Sequence, residues 1–163
     1  MAETTGGNAL RSTDGLPRTS SPRRPPKARG PPAPPLLCGG SASGDTTGNP
    51  SVLGTAAGED ILPFRVSRRG TVTFSTCGGA NWDTLLRIVE RRTDGTPGAE
   101  IVSRDDSCGL RSSLEHRLHP GDYFLVIEGY GHNEGAYTVS VDCAGGAQLT
   151  STTAPACPGP GYE

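Results

Sequence analysis

The chain has 163 residues, a formal net charge of -2, only 33% apolar residues, and 24 Gly and 15 Pro. That is enough for one domain with unpacked segments attached, and no run of about 18 apolar residues encodes a membrane-spanning helix. Up to Pro35 there are 6 Lys+Arg against 2 Asp+Glu, and beyond it 9 against 15, local charges of +4 and -6. So acidic a foldable part argues against a nucleic-acid groove, which needs concentrated positive charge.

Residues 1–37 form a basic, Pro- and Gly-rich tail whose run from Leu16 to Pro35 has almost nothing to bury. Such a segment cannot recover the entropy of ordering its backbone and is expected to be disordered with local polyproline II character. A basic tail can contact RNA, acidic lipid or a Pro-reading domain, but a linker is the simpler reading. The start, Met1 to Gly7, has neither the basic region nor the apolar core of a secretory signal. An internal fragment of a longer secreted protein, or a misassigned start, would reconcile this with the cysteines below.

The foldable part is expected from Cys38 to Cys143, and it reads as short strands separated by Gly, Asp, Asn and Pro. In Glu59–Ser67, Leu62, Phe64 and Val66 share one face, the period of two that a half-buried strand requires. Pro63 cannot donate to a ladder, which points to an edge strand or a bulge. Residues Arg68 to Gly70 are read as a turn pairing this strand in a hairpin with Thr71–Cys77. Thr84–Glu90 is apolar on both faces, as a central strand would be, and the turn from Thr93 to Pro97 leads to a weaker strand at Ala99–Ser103.

Ser112–Leu118 places Leu114 and Leu118 on one face and ends in the turn His119 to Asp122. Tyr123–Gly129 and Gly135–Cys143 are the strongest strand signals, joined by Tyr130 to Glu134. Gly and Pro interrupt every window that could hold an amphipathic helix of three turns. Residues 144–163 read as a Ser/Thr/Pro/Gly-rich linker or tail. The fold class is therefore all-β, an antiparallel β-sandwich.

Cysteines stand at 38, 77, 108, 143 and 157. Four of them can pair in three ways, and the preferred pairing is Cys38–Cys143, bracketing the domain, with Cys77–Cys108, joining two loops. The inner link closes about 30 residues and is worth roughly 3–4 kcal/mol by the chain-entropy estimate. A zinc site is disfavoured, because there is no Cys-x-x-Cys and the three histidines are scattered. Cys157 is left over. Disulfides of this kind imply an oxidising, extracellular or cell-surface location.

In order along the chain, Cys38-Gly-Gly-Ser-Ala-Ser-Gly-Asp-Thr-Thr-Gly, Pro63-Phe-Arg-Val-Ser, Gly70-Thr-Val-Thr-Phe-Ser-Thr-Cys77, Trp82-Asp-Thr-Leu-Leu-Arg-Ile88, Asp105-Asp-Ser-Cys-Gly109, Pro120-Gly-Asp-Tyr-Phe-Leu-Val-Ile-Glu-Gly129 and Glu134-Gly-Ala-Tyr-Thr-Val-Ser-Val resemble the bacterial pre-peptidase C-terminal domain and its cysteine-containing eukaryotic relatives. The resemblance implies a jelly-roll-like sandwich appended to secreted proteins. It also implies a module that usually lacks catalytic residues, binding collagen, chitin or other polymers in some members and aiding secretion or stability in others. Certain relatives bind calcium through an acidic leader before the first strand. Here the leader is basic and Pro-rich, so that site does not carry over.

Asp83, Asp105 and Asp106 are the candidate metal ligands, since a Cys77–Cys108 link would hold their loops together and Ca²⁺ takes six to eight oxygens. The competing reading is that these short carboxylates cap loop amides and fix turns. No cofactor other than calcium is implied. Trp82, Tyr130 and His132 are the candidate ligand-binding residues, because an exposed aromatic buries much area at little rotamer cost; structural packing is the competing reading for the two aromatics and a solvated turn for His132. Tyr123 and Tyr137 fit packing or tyrosine-corner roles, and His116 and His119 ordinary surface positions. No nucleophile motif or paired acid and base is present, so a hydrolase is the least favoured reading. The favoured function is a non-catalytic extracellular accessory module binding a polymer or protein surface, with neighbouring domains in a longer parent. The alternative is a structural spacer or folding and secretion aid.

Overall fold

The computed structural model describes residues 35–152. The expectations for residues 1–34 and 153–163, Cys157 included, lie outside them. The strands are β1 (Ser41–Asp45), β2 (Asp60–Arg68), β3 (Gly70–Ser75), β4 (Thr84–Arg91), β5 (Pro97–Asp105), β6 (Ser113–Leu118), β7 (Gly121–Gly129), β8 (Ala136–Ala144) and β9 (Gln148–Thr150). They form two antiparallel sheets packed face to face, ordered β1-β8-β3-β6 and β5-β4-β7-β2-β9.

The period-two alternation builds the core directly. Leu62, Phe64 and Val66 of β2, Leu86 and Ile88 of β4, and Leu125 and Ile127 of β7 meet Val72 and Phe74 of β3 and Val139 and Val141 of β8, all buried. Phe64 sits at the centre, edge-on to Phe74 at 5.1 Å and stacked on Tyr123 at 5.6 Å. Burying each such ring removes a large apolar area from water, worth about 1.5–3 kcal/mol.

The expected hairpin between residues 59–67 and 71–77 does not form. β2 lies in the five-stranded sheet and β3 in the four-stranded one. Only Arg69 separates them, which leaves no room for a two-residue hairpin turn, and the chain instead turns a corner from one sheet to the other. Gly70 makes that corner possible, since a Cβ there would stand 2.3 Å from the Ala147 amide nitrogen. Among the described residues, β4 and β5 are the one consecutive pair that shares a ladder.

β4 lies between β5 and β7, which matches its apolar character on both faces. Its outer residue Val89 joins Phe124 and Val126 in a second small cluster, covered by Leu53 and Ile61. The segment between β1 and β2 thus folds over the outside of the five-stranded sheet. Buried Glu59 organises it, accepting hydrogen bonds from the amides of Val52 (2.9 Å) and Leu53 (3.0 Å) and from the hydroxyls of Ser51 and Thr55.

β9 extends the domain past Cys143, with Leu149 buried against β2, so residues 144–150 are sandwich and not linker. β9 pairs only with Arg65, Val66 and Arg68. At Pro63, β2 is therefore an edge, where a missing donor costs nothing. Disulfides join Cys38 to Cys143 and Cys77 to Cys108, with Cα–Cα distances of 5.4 and 6.0 Å.

Because Phe64 touches both sheets, Phe64→Ala should lower the unfolding free energy by about 3–5 kcal/mol, read as a fall in the urea midpoint at unchanged m-value. A loss below 1 kcal/mol would show that the core closes without it.

Candidate functional site

The end of the sandwich where β3 finishes and β4 begins is held by buried hydroxyls. Thr76, Thr84 and Ser112 have no exposed surface. Thr76 and Thr84 share a hydrogen bond at 2.7 Å, and the Ser112 amide donates to both hydroxyls at 3.1 Å. The Thr76 amide donates to the Ser112 carbonyl at 2.9 Å, and the Ser112 hydroxyl donates to the Thr84 carbonyl. This cluster ties both sheets and the β5–β6 connection together, with the Cys77–Cys108 bond beside it.

On that base stand Asp83, just before β4, Asp105, at the end of β5 opposite Leu85, and Asp106, whose φ of 52° is left-handed. One carboxylate oxygen from each lies within 4.8 Å of the other two. Asp83 Oδ1 and Asp105 Oδ1 are shielded from solvent and accept no hydrogen bond. Desolvation first, then the Asp106 charge, raises the Asp83 carboxyl above the usual carboxylate range. The same two causes, with Asp83 added, raise Asp105 against the Asp106 amide that it accepts from. No Lys or Arg contributes to either shift. Three oxygen donors with two acceptors unsatisfied can coordinate a metal ion, and they suit a hard cation better than zinc.

Tyr130 and Leu110 flank the carboxylates. The Tyr130 amide donates to the Asp83 carbonyl at 3.2 Å, and the Thr84 amide to the Leu110 carbonyl at 2.9 Å. Both side chains are open, 62% and 54% exposed. Leu110 gave no signal in the sequence beyond being one apolar residue in a polar loop. His132 is exposed in the same loop as Tyr130.

Trp82 does not offer a face to a ligand. It is 9% exposed, its indole N–H donates to the Ala136 carbonyl at 2.8 Å, and Gly135 packs on its ring. A large ring beside a Gly-rich loop found its area in the core. Tyr137 is buried with its hydroxyl donating to Asp60 Oδ2 at 2.8 Å, and burial and the Asp60 charge push its phenol far up. The Tyr123 hydroxyl donates to the His119 carbonyl at 2.9 Å, and burial raises it too. His116 is half-buried on β6, and His119 lies exposed in its turn.

Glu134, which sequence reasoning passed over, clamps the neighbouring loop. Its carboxylate accepts from the amides of Gly48 at 2.9 Å and Gly58 at 2.8 Å, and these bonds hold its carboxyl below the usual range. Nothing local marks it, because both partners are backbone groups more than 70 residues away.

No family model matches the chain, and no curated protein does. Among solved structures, the chain is similar to the pre-peptidase C-terminal domain of a collagenase from Bacillus anthracis. The identity is 16% and the TM-score 0.46, over 64% of this chain and 90% of that one.

Two outcomes are expected. Thr84→Val keeps the shape but strips the hydroxyl that meets Thr76 and Ser112, so it should cost about 1–3 kcal/mol in urea unfolding. Glu134 is depressed when folded, so its stabilisation is present above the ordinary Glu value of about 4.3 and is lost as pH falls through the folded value. Thermal midpoints measured from pH 6 to pH 3 should therefore fall more steeply in the wild type than in Glu134→Gln. Parallel curves would show that the clamp does not contribute.

Proposed function

We propose that this protein is a non-catalytic, extracellular accessory module whose loop end binds a polymer or protein surface, with Ca²⁺ bound by Asp83, Asp105 and Asp106. The observation that carries the reading is the meeting, at one end of the sandwich, of an open tyrosine and three converging carboxylates, two of them with a buried, unpartnered oxygen. Asp105 accepts the Asp106 amide, as a turn-fixing carboxylate does, yet its Oδ1 and Asp83 Oδ1 are buried and accept nothing. A divalent cation would supply the missing partner and relieve the like-charge repulsion. The Cys77–Cys108 disulfide joins the loops that carry the carboxylates, and the hydrogen bond from the Tyr130 amide to the Asp83 carbonyl ties Tyr130 to them, as a preorganised site requires. Tyr130 would supply flat contact area, and His132 beside it a further polar contact.

The test has two arms on the full chain. Saturating Ca²⁺ at about 100 times its Kd should stabilise the fold by about 2.7 kcal/mol, read as a rise in thermal midpoint that Asp105→Asn abolishes. No rise would remove calcium from the account and leave the aspartates structural. Retention on insoluble collagen or chitin should fall about tenfold in Tyr130→Ser, at an unchanged thermal midpoint. If neither polymer retains the chain, the spacer reading replaces the binding one.

A further inference from the structure

The three carboxylates of the loop end are not held by the same means. Asp105 lies in the β4–β5 ladder opposite Leu85, and the Asp83 carbonyl accepts the Tyr130 amide. Asp106 stands outside the strands, in the connection between β5 and β6. It is exposed, and among the described residues it is the one non-glycine with a positive φ, 52°. A side chain in the left-handed region crowds its own backbone and stays there only while its surroundings hold it. Its carboxylate also faces two of like charge, with oxygens within 4.8 Å of one another. Strain and repulsion therefore both act to move Asp106 away from Asp83 and Asp105.

What opposes them lies two residues on, where Cys108 is bonded to Cys77, just past the end of β3 in the other sheet. The loop between is closed on itself, the Ser107 and Cys108 amides both donating to the Arg111 carbonyl at 2.9 and 3.0 Å. Besides the disulfide, it is moored by the exposed bond from the Ser107 hydroxyl to the Ser113 carbonyl at 3.0 Å and by the Leu110 carbonyl, which accepts the Thr84 amide. Cys77 is exposed and Cys108 half-buried, and neither belongs to the apolar core, against which Cys143 of the other disulfide packs. A soluble thiol therefore reaches the inner bond without the sandwich opening. Beneath it, buried Thr76, Thr84 and Ser112 keep the sheets joined through hydrogen bonds of their own.

We propose that the Cys77–Cys108 disulfide is a redox latch on the carboxylate cluster, which keeps Asp106 beside Asp83 and Asp105 when oxidised and releases it when reduced. The reductant is a dithiol. One of its thiolates attacks a sulfur of the pair, giving a mixed disulfide and one protein thiol, and its second thiolate frees the other protein thiol as the reductant closes its own disulfide. Two electrons pass to the protein sulfurs, and the two protons of the dithiol end on Cys77 and Cys108. Two carboxylates then remain together where three stood, and Ca²⁺ affinity falls with the number and charge of its ligands. This inference rests on the reading of the three aspartates as a calcium site.

The experiment compares the full chain with Cys77→Ser/Cys108→Ser and with Cys38→Ser/Cys143→Ser, by amide hydrogen exchange without metal and by Ca²⁺ titration. Loss of the inner bond should speed exchange over residues 105–111 about tenfold or more and leave β4 and β7 as they were. It should also weaken Ca²⁺ binding about tenfold or more, whereas loss of Cys38–Cys143 leaves the affinity at the wild-type value. Asp106→Asn should weaken binding in the oxidised protein and add little to Cys77→Ser/Cys108→Ser. Unchanged exchange at 105–111, or equal Ca²⁺ affinity with and without the inner bond, overturns the proposal. If the wild type binds no Ca²⁺, the calcium reading fails by itself, and the latch stands or falls on the exchange of the loop. Where the double variant does not fold, dithiothreitol added to the folded wild type gives the same exchange readout. Faster exchange throughout the sheets on that addition would show that the bond holds the fold and not the loop.

Discussion

Everything in this domain depends on one constraint: a small core has to be sealed by two sheets whose strands alternate between them along the chain. Of the consecutive strands, only β4 and β5 pair with each other. Every other connection crosses the core edge, so the loops gather at the two ends of the sandwich and leave its faces to regular ladders. Fixing Phe64, Phe74 and Tyr123 in one cluster therefore also fixes where the loops must lie. The candidate site at one end is a consequence of this sheet exchange, because its loops leave strands of both sheets.

Most buried polar groups are partnered, and among the described residues the side-chain atoms that are not are Asp83 Oδ1, Asp105 Oδ1, Arg111 Nε and Glu128 Oε2. Thr76, Thr84 and Ser112 satisfy one another, and Glu59 takes four loop donors. Fully buried Glu128 is engaged by Arg87, which also reaches Glu100 at 2.9 Å. The hydroxyl cluster and Glu59 avoid the cost of a lone buried polar group, about 1–3 kcal/mol and more for a charge, whereas Glu128 is paired through Oε1 alone and its Oε2 has no partner. Asp83 and Asp105 are placed differently, with unpartnered oxygens and like charge alongside. Of the four buried side-chain atoms without a partner among the described residues, two fall in this one cluster, which is why it is the candidate site.

Much of this was legible in the sequence, for a physical reason. Alternation is a local property, so Leu62, Phe64 and Val66, or Tyr137, Val139 and Val141, declare a buried face without reference to any partner. Pairing is not local. The corner at Arg69 reads the same as a hairpin turn until the position of the second sheet is known. β9 stayed hidden because three residues are too few to show a period, and Leu149 finds its burial only against β2. At the candidate site, the carboxylates of Asp83, Asp105 and Asp106 could be named from sequence, because cysteines nearby implied that their loops meet. Trp82 was ambiguous, since an aromatic residue in a Gly-rich loop packs inward or outward according to groups far along the chain, here the Ala136 carbonyl and Gly135. Glu134 and Leu110 were invisible for the same reason.

Charge at one end of the sandwich is screened from the other. A nine-residue strand such as β2 or β7 spans roughly 30 Å, the rise being about 3.3 Å per residue. Screening at physiological ionic strength has a length of about 8 Å, so the carboxylates at one end contribute almost nothing to the potential at the arginines of the other. An acidic average charge for the folded part therefore says little about either end. It argues against a long uniform groove for nucleic acid but says little of the corner at Arg68 and Arg69, because β3, Gly70–Ser75, sets that corner roughly 20 Å from the Thr76 end, more than two screening lengths. The same separation means that a cation bound at the loops would leave that corner unchanged.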